Sequence, residues 1–102
     1  MFCIVYRWEV SAEFEREFID LWGRLTKIIR DEHGGLGSRL HRSGEIWFAY
    51  AQWPSKSDWY RPKMTSDESL KLRTRISEIS RELSSDIMGE VVFDLLIPGG
   101  VP

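Results

Sequence analysis

Tyr6, His41 and Arg73 are the side chains of this sequence best suited to polar work on a bound molecule. A tyrosine donates a hydrogen bond, a histidine moves a proton near neutral pH, and an arginine holds an anion. Around them stand the rings Trp8, Tyr50, Trp59 and Tyr60, with Arg39 as a second guanidinium. Such a set would sandwich a flat, partly polar ligand and place it beside Arg73 or Arg39. The same rings also suit a core. Core is the leading reading for Trp8 and Tyr50, whereas Trp59, among polar residues after Pro54, fits core and pocket equally.

The stretch DEHGGLGSRLHR, residues 31–42, carries three glycines in four positions between His33 and His41. A phosphate cradle needs glycines ahead of a helix, where backbone N–H groups and the positive dipole end meet the anion. Here they follow a helical pattern, so a helix stop is expected, because glycine takes the left-handed conformation cheaply. His33 then sits at the negative end of the helix as an exposed cation. One cysteine and two scattered histidines make a poor zinc set, and no metal is expected. Cys3, amid apolar residues, reads as a small core side chain, and no G-x-S-x-G elbow occurs.

At 102 residues the chain has the length of one domain, assigned to 1–102 with a loose tail at 97–102. A hydrophobic share of 42% with 29% charged residues describes a globular chain rather than a disordered one. The net charge of −2 gives no reason to expect nucleic acid or an anionic membrane as partner. No apolar run approaches the roughly 20 residues of a membrane span. The opening MFCIVYRWEV lacks a basic leader and is broken by Arg7 and Glu9, so a signal peptide is not expected. The single cysteine fits a reducing compartment, and the cytoplasm is the expected location.

The elements that must position these residues follow from periodicity. FCIVYRWEV, 2–10, reads as a strand. Ser11 offers an N-cap, and Phe14, Phe18, Leu21, Trp22, Leu25, Ile28 and Ile29 form a helical stripe, predicting a helix over 13–32. Residues 36–42 and 45–53 form a hairpin about Ser43-Gly44, and 55–61 suits one helical turn before Pro62. Leu72, Ile76, Ile79 and Leu83 predict a helix over 66–85, and 87–97 a last strand. The order βαββαβ predicts an α+β, ferredoxin-like fold: a four-stranded antiparallel sheet with two helices on one face. Both faces of its strands carry apolar side chains, which implies a homodimer joined through the open sheet face.

The chain resembles the antibiotic biosynthesis monooxygenase (ABM) family of dimeric α+β barrels. The likeness lies in FCIVYRWEV, EREF at 15–18, EHGGLGSRLHR and AYAQWPSKSDW at 49–59, and it extends over nearly the whole chain. It implies a homodimer with a cavity between sheet and helices in each subunit. It also implies oxidation of a small aromatic, quinol- or polyketide-like substrate by dioxygen, with no cofactor, neither metal nor flavin. Tyr6, His41 and Arg73 would take the polar roles there. Haem-degrading members rely on an Asn on the first strand, a Trp after the third and a His on the second helix. Here the first-strand position falls near Tyr6 and Trp59 matches the Trp. Residues 66–85 hold no His and the whole chain no Asn, so haem degradation is disfavoured. Quinone-forming members also tend to place an Asn beside Trp, Tyr and Arg, a point on which this chain departs. The alternative is a non-enzymatic small-ligand-binding or interaction module on the same barrel.

Overall fold

Alternating large apolar side chains make Phe2–Val10 a strand, β1, as expected. The computed structural model describes residues 1–63 and 65–96, with residues 85 and 86 described as backbone only. The loose tail expected at 97–102 lies outside the described residues. After β1 a 3-10 turn, Ala12–Phe14, leads into helix α1, Glu15–Glu32. Ser11 does not cap through its side chain. Its carbonyl instead accepts from Phe14 N at 2.9 Å, which delays the α-helix by two residues relative to expectation. At the other end His33 N and Gly35 N both donate to Ile29 O, at 3.0 and 3.3 Å, across Gly34 at φ +80°. The glycines therefore act as the helix stop their position predicts.

Strands β2, Gly37–Ser43, and β3, Ile46–Trp53, form the hairpin, turned at Gly44 with φ +63°. Helix α2, Lys56–Tyr60, is the single turn expected before Pro62, capped by Ser55, whose Oγ accepts from Asp58 N. Helix α3 runs Asp67–Ile79, its first turn capped by the Ser66 hydroxyl.

Strand β4, Ser80–Glu90, corrects both later sequence expectations. The helix ends at Ile79 rather than 85, and the last strand precedes 87–97 instead of filling it. Leu83 continues the helical spacing, but Ser80, Ser84 and Ser85 are weak helix formers. Central strand β1 also needs a hydrogen-bonding partner on its second edge. There Leu83 stands opposite Arg7, and Arg81 pins the register by a two-pronged bond to Glu9, at 2.6 and 3.3 Å. Pairing ends at Phe2 opposite Glu90, with Val91 N donating to Met1 O. Residues 91–96 therefore lie beyond the ladder.

The sheet order is β2-β3-β1-β4, antiparallel throughout, which is the ferredoxin-like arrangement. One face presents Phe2, Ile4, Tyr6, Trp8 and Val10 with Trp47, Ala49, Ala51 and Trp53, and α1 and α3 pack there. Phe18, Leu21, Leu72, Ile76 and Ile79 close over Val10 and Trp47 at one end. Phe2, Ile4 and Trp53 form a second cluster at the other.

Arg75 of α3 grips Glu17 of α1 at 2.6 and 2.9 Å, which joins the two helices. The guanidinium donating to it holds the Glu17 carboxyl below its ordinary value of 4.5. A carboxyl with a lowered folded pKa contributes stability above its unfolded value, and that contribution is lost as pH falls through the folded one. Glu17→Gln is therefore expected to lower the urea midpoint at neutral pH and to match the parent chain at acid pH. An equal gap at both pH values would rule out the ion pair as the source.

Candidate active site

Helix-facing side chains along β3 run Trp47, Ala49, Ala51, Trp53: large, small, small, large. The alanines leave the middle of the sheet uncovered between the two apolar clusters, and α1 and α3 span the gap. The result is a cavity of about 670 Å³, within the usual range for small-molecule sites. Tyr6 and Trp8 of β1, Trp22, Leu25 and Ile29 of α1, and Ser69 and Arg73 of α3 wall it, with Trp59 and Lys63 from the α2 segment.

Within it Trp59 Nε1 donates to Tyr6 Oη at 3.0 Å. The Trp59 ring rests on Phe2, with centroids 5.5 Å apart, and Tyr6 stacks on Trp8 at 6.2 Å. Burial pushes the Tyr6 phenol above its ordinary value of 10.0. Glu82 adds to this, while the Trp59 bond and the Arg73 charge oppose it. Tyr6 is thus a neutral phenol at physiological pH. Its oxygen already accepts from Trp59, so its own O–H is left to donate, and its chemistry is that of a donor rather than a base. The β4 ladder shifts register between Val5 and Arg7, which puts a bulge opposite Tyr6, a frequent device for aiming a side chain at a site.

The remaining expected residues lie elsewhere. Arg39 pairs with Tyr50 and His41 with Phe48 across the β2–β3 ladder, and strand alternation sends all four to the face opposite the helices. There Arg39, His41 and Tyr50 line a separate depression of about 540 Å³ with Val5 and Leu96. The His41 ring lies flat on Phe48 at 4.4 Å, with Nδ1 3.3 Å from Phe48 O. The sheet therefore separates His41 from Tyr6 and Arg73. Tyr60, 78% exposed, turns its edge to Trp59 outside the cavity wall. Trp8, Tyr6, Trp59 and Arg73 do converge.

Sequence reasoning missed Trp22, Lys63, Ser69 and the alanine pair, and it placed His33 as an exposed cation, whereas His33 is half-buried at the cavity wall. The W-x-A-x-A-x-W pattern of β3 was the available signal. Among the described residues no cluster of three His, Cys, Asp or Glu side chains is placed to hold a metal ion. No helix among them is long and apolar enough to cross a membrane.

A two-helix layer over a four-stranded antiparallel sheet, with an aromatic-walled cavity between, defines a ferredoxin-like α+β domain with an internal ligand-sized space. The antibiotic biosynthesis monooxygenase profile matches residues 1–62, and the chain belongs to that family. Among solved structures it is similar to SnoaB of Streptomyces nogalater, a cofactor-independent oxygenase, solved as a variant with one asparagine changed to alanine. The TM-score is 0.72 at 18% identity, over 92% of this chain and 95% of that one. It is also similar to Rv0793 of Mycobacterium tuberculosis, with TM-score 0.66 at 13% identity over 93% and 98%. A conserved protein of Methanosarcina mazei gives 0.63 at 18% over 86% and 87%. At such identities the likeness is one of fold. No curated protein sequence matches the chain.

Proposed function

We propose that this chain is a cofactor-independent monooxygenase that oxidises a small aromatic, quinol- or polyketide-like substrate in the helix-side cavity. The observation that carries the reading is the Trp59–Tyr6 pair in an aromatic-walled cavity of an ABM-family fold. A phenol with a free ring C–H can supply all four electrons that dioxygen needs. The phenolate passes an electron to O2, the resulting radicals join as a ring-bound peroxide, and O–O cleavage gives the quinone carbonyl and one water. One oxygen atom enters the product and the other leaves as water with the two hydrogens lost from the substrate. In this scheme the rings hold the substrate plane, Arg73 favours its anion, and the Tyr6 O–H donates to the oxygen on which charge develops.

The sheet face away from the helices supports a homodimer as the working form. Val5, Phe48, Tyr50 and Ile87 lie on it, and Val92, Phe93, Leu95 and Leu96 of the following segment are exposed, Val92 at 93%. Apolar side chains gathered on an exposed face are the usual mark of a surface that meets a partner. Light scattering should give twice the 12.0 kDa chain mass. A second reading, a binding barrel without turnover, is favoured by the absence of any asparagine from the chain.

The test is oxygen uptake with 1,5-dihydroxynaphthalene, whose ring carbon para to each hydroxyl carries a hydrogen. The protein should raise it roughly 10²-fold over autoxidation, with one labelled atom from ¹⁸O2 in the quinone. Tight binding at an unchanged autoxidation rate would leave the binding-barrel reading in its place.

A further inference from the structure

We propose that Lys63 sets the substrate specificity of the cavity, its ammonium group binding an ionised carboxylate on an aromatic acid. This rests on the cavity being the ligand site and deepens the functional reading above. Lys63 follows Pro62 on the segment after α2 and reaches the cavity wall. Nζ donates to Trp59 O at 2.8 Å and to Arg61 O at 2.9 Å, and lies 4.6 Å from the centre of the Trp53 ring. An ammonium group has three N–H bonds. The two carbonyls fix its position without neutralising it, and one N–H is left over.

Among the described residues no carboxylate lies within ion-pair distance of Lys63 or of Arg73 on the facing helix. Asp58, the acid whose field reaches Lys63, accepts from Ser55 Oγ at 2.8 Å and pairs with Arg61 at 3.6 Å. Arg81, also on the wall, is taken by Glu9 at 2.6 Å. Glu82 is the carboxylate of the described wall, and its field acts on Tyr6. The cavity thus offers two cations, Lys63 and Arg73, around apolar rings, which is the complement of a flat acid. Desolvation, aided by the Arg61 charge and opposed by that of Asp58, lowers the Lys63 pKa, so an anion bound beside it would favour its charged form.

The probes are 2-naphthoate and its neutral isostere 2-naphthamide, titrated anaerobically against tryptophan fluorescence at neutral pH. The parent protein should bind the acid roughly tenfold more tightly or better. Lys63→Met should remove that preference while keeping the amide affinity, and Lys63→Arg should restore most of it. Equal affinity of the parent protein for the two probes overturns the proposal, as does failure of both to bind. An equal loss for both probes in Lys63→Met overturns it too, because the lysine would then act only by holding the Trp59 and Arg61 carbonyls. A chain that prefers the acid yet consumes no oxygen defeats the oxygenase reading and leaves this one standing.

Discussion

Phe18→Ala should cost the fold about 3–5 kcal/mol, the usual range for emptying a fully buried aromatic site. Phe18 has no exposed surface and sits on α1 where the helix crosses the sheet. Its ring meets Trp8 edge-on at 5.4 Å and Trp47 at 5.6 Å. Truncation removes the apolar burial, both aromatic contacts and the filling between helix and sheet. Both tryptophan neighbours are too large to slide into the space, so relaxation recovers little. A domain of this size has about 5–15 kcal/mol in total, so the variant should retain only a small margin. The urea midpoint should fall with an unchanged slope, and Phe18→Leu should lose much less. A loss under about 1 kcal/mol for Phe18→Ala would mean that α1 does not carry the core. Trp8 also walls the cavity, so the weakened variant should bind ligands less well before it unfolds.

The architecture was legible where local chemistry and tertiary need agree. FCIVYRWEV alternates, and it is a strand with its large side chains under the helices. The Phe14–Ile29 stripe is α1, and GGLG ends it. The reading failed at 80–90 because Leu83 satisfies helix spacing, while the demand that decides its state is a strand edge some 75 residues earlier. No local pattern encodes that demand. The site was legible in part for a similar reason. Tyr6 and Trp8 share a strand face, which alternation gives directly, and Trp59 stands out as a ring in a polar segment. Grouping His41, Arg39 and Tyr50 with them required knowing which face of β2 meets the helices. Leu40 and Ser38 take that face, so the charged and aromatic side chains take the other. Lys63 escaped notice because one lysine beside a proline carries no signal until its carbonyl partners are in view.

Tyr6→Phe should lower kcat roughly 10²-fold while leaving substrate affinity close to that of the parent, because what it removes is a donor to charge that develops only during reaction. Trp59→Phe keeps a ring at that wall and deletes only the N–H that fixes the Tyr6 oxygen, so its loss should be smaller. The double variant should be little worse than Tyr6→Phe alone, since the indole acts through the phenol. Trp59→Ala should instead abolish most ligand binding and lose about 1–2 kcal/mol of stability. That ring is half-buried on Phe2, and a core residue would cost nearer 3–5 kcal/mol. The pH dependence has a determinate sign. The Tyr6 pKa is raised, mainly by burial, so the donor form and its contribution to stability persist at neutral pH. Stability is lost as pH rises from the ordinary value of 10.0 through the folded one. Activity that needs the phenol proton should fall over the same alkaline limb, and Tyr6→Phe should show no such limb. If Tyr6→Phe retains full kcat with the alkaline limb intact, the proton serves no step in the reaction. The Trp59–Tyr6 bond would then be a packing contact in a cavity that only binds.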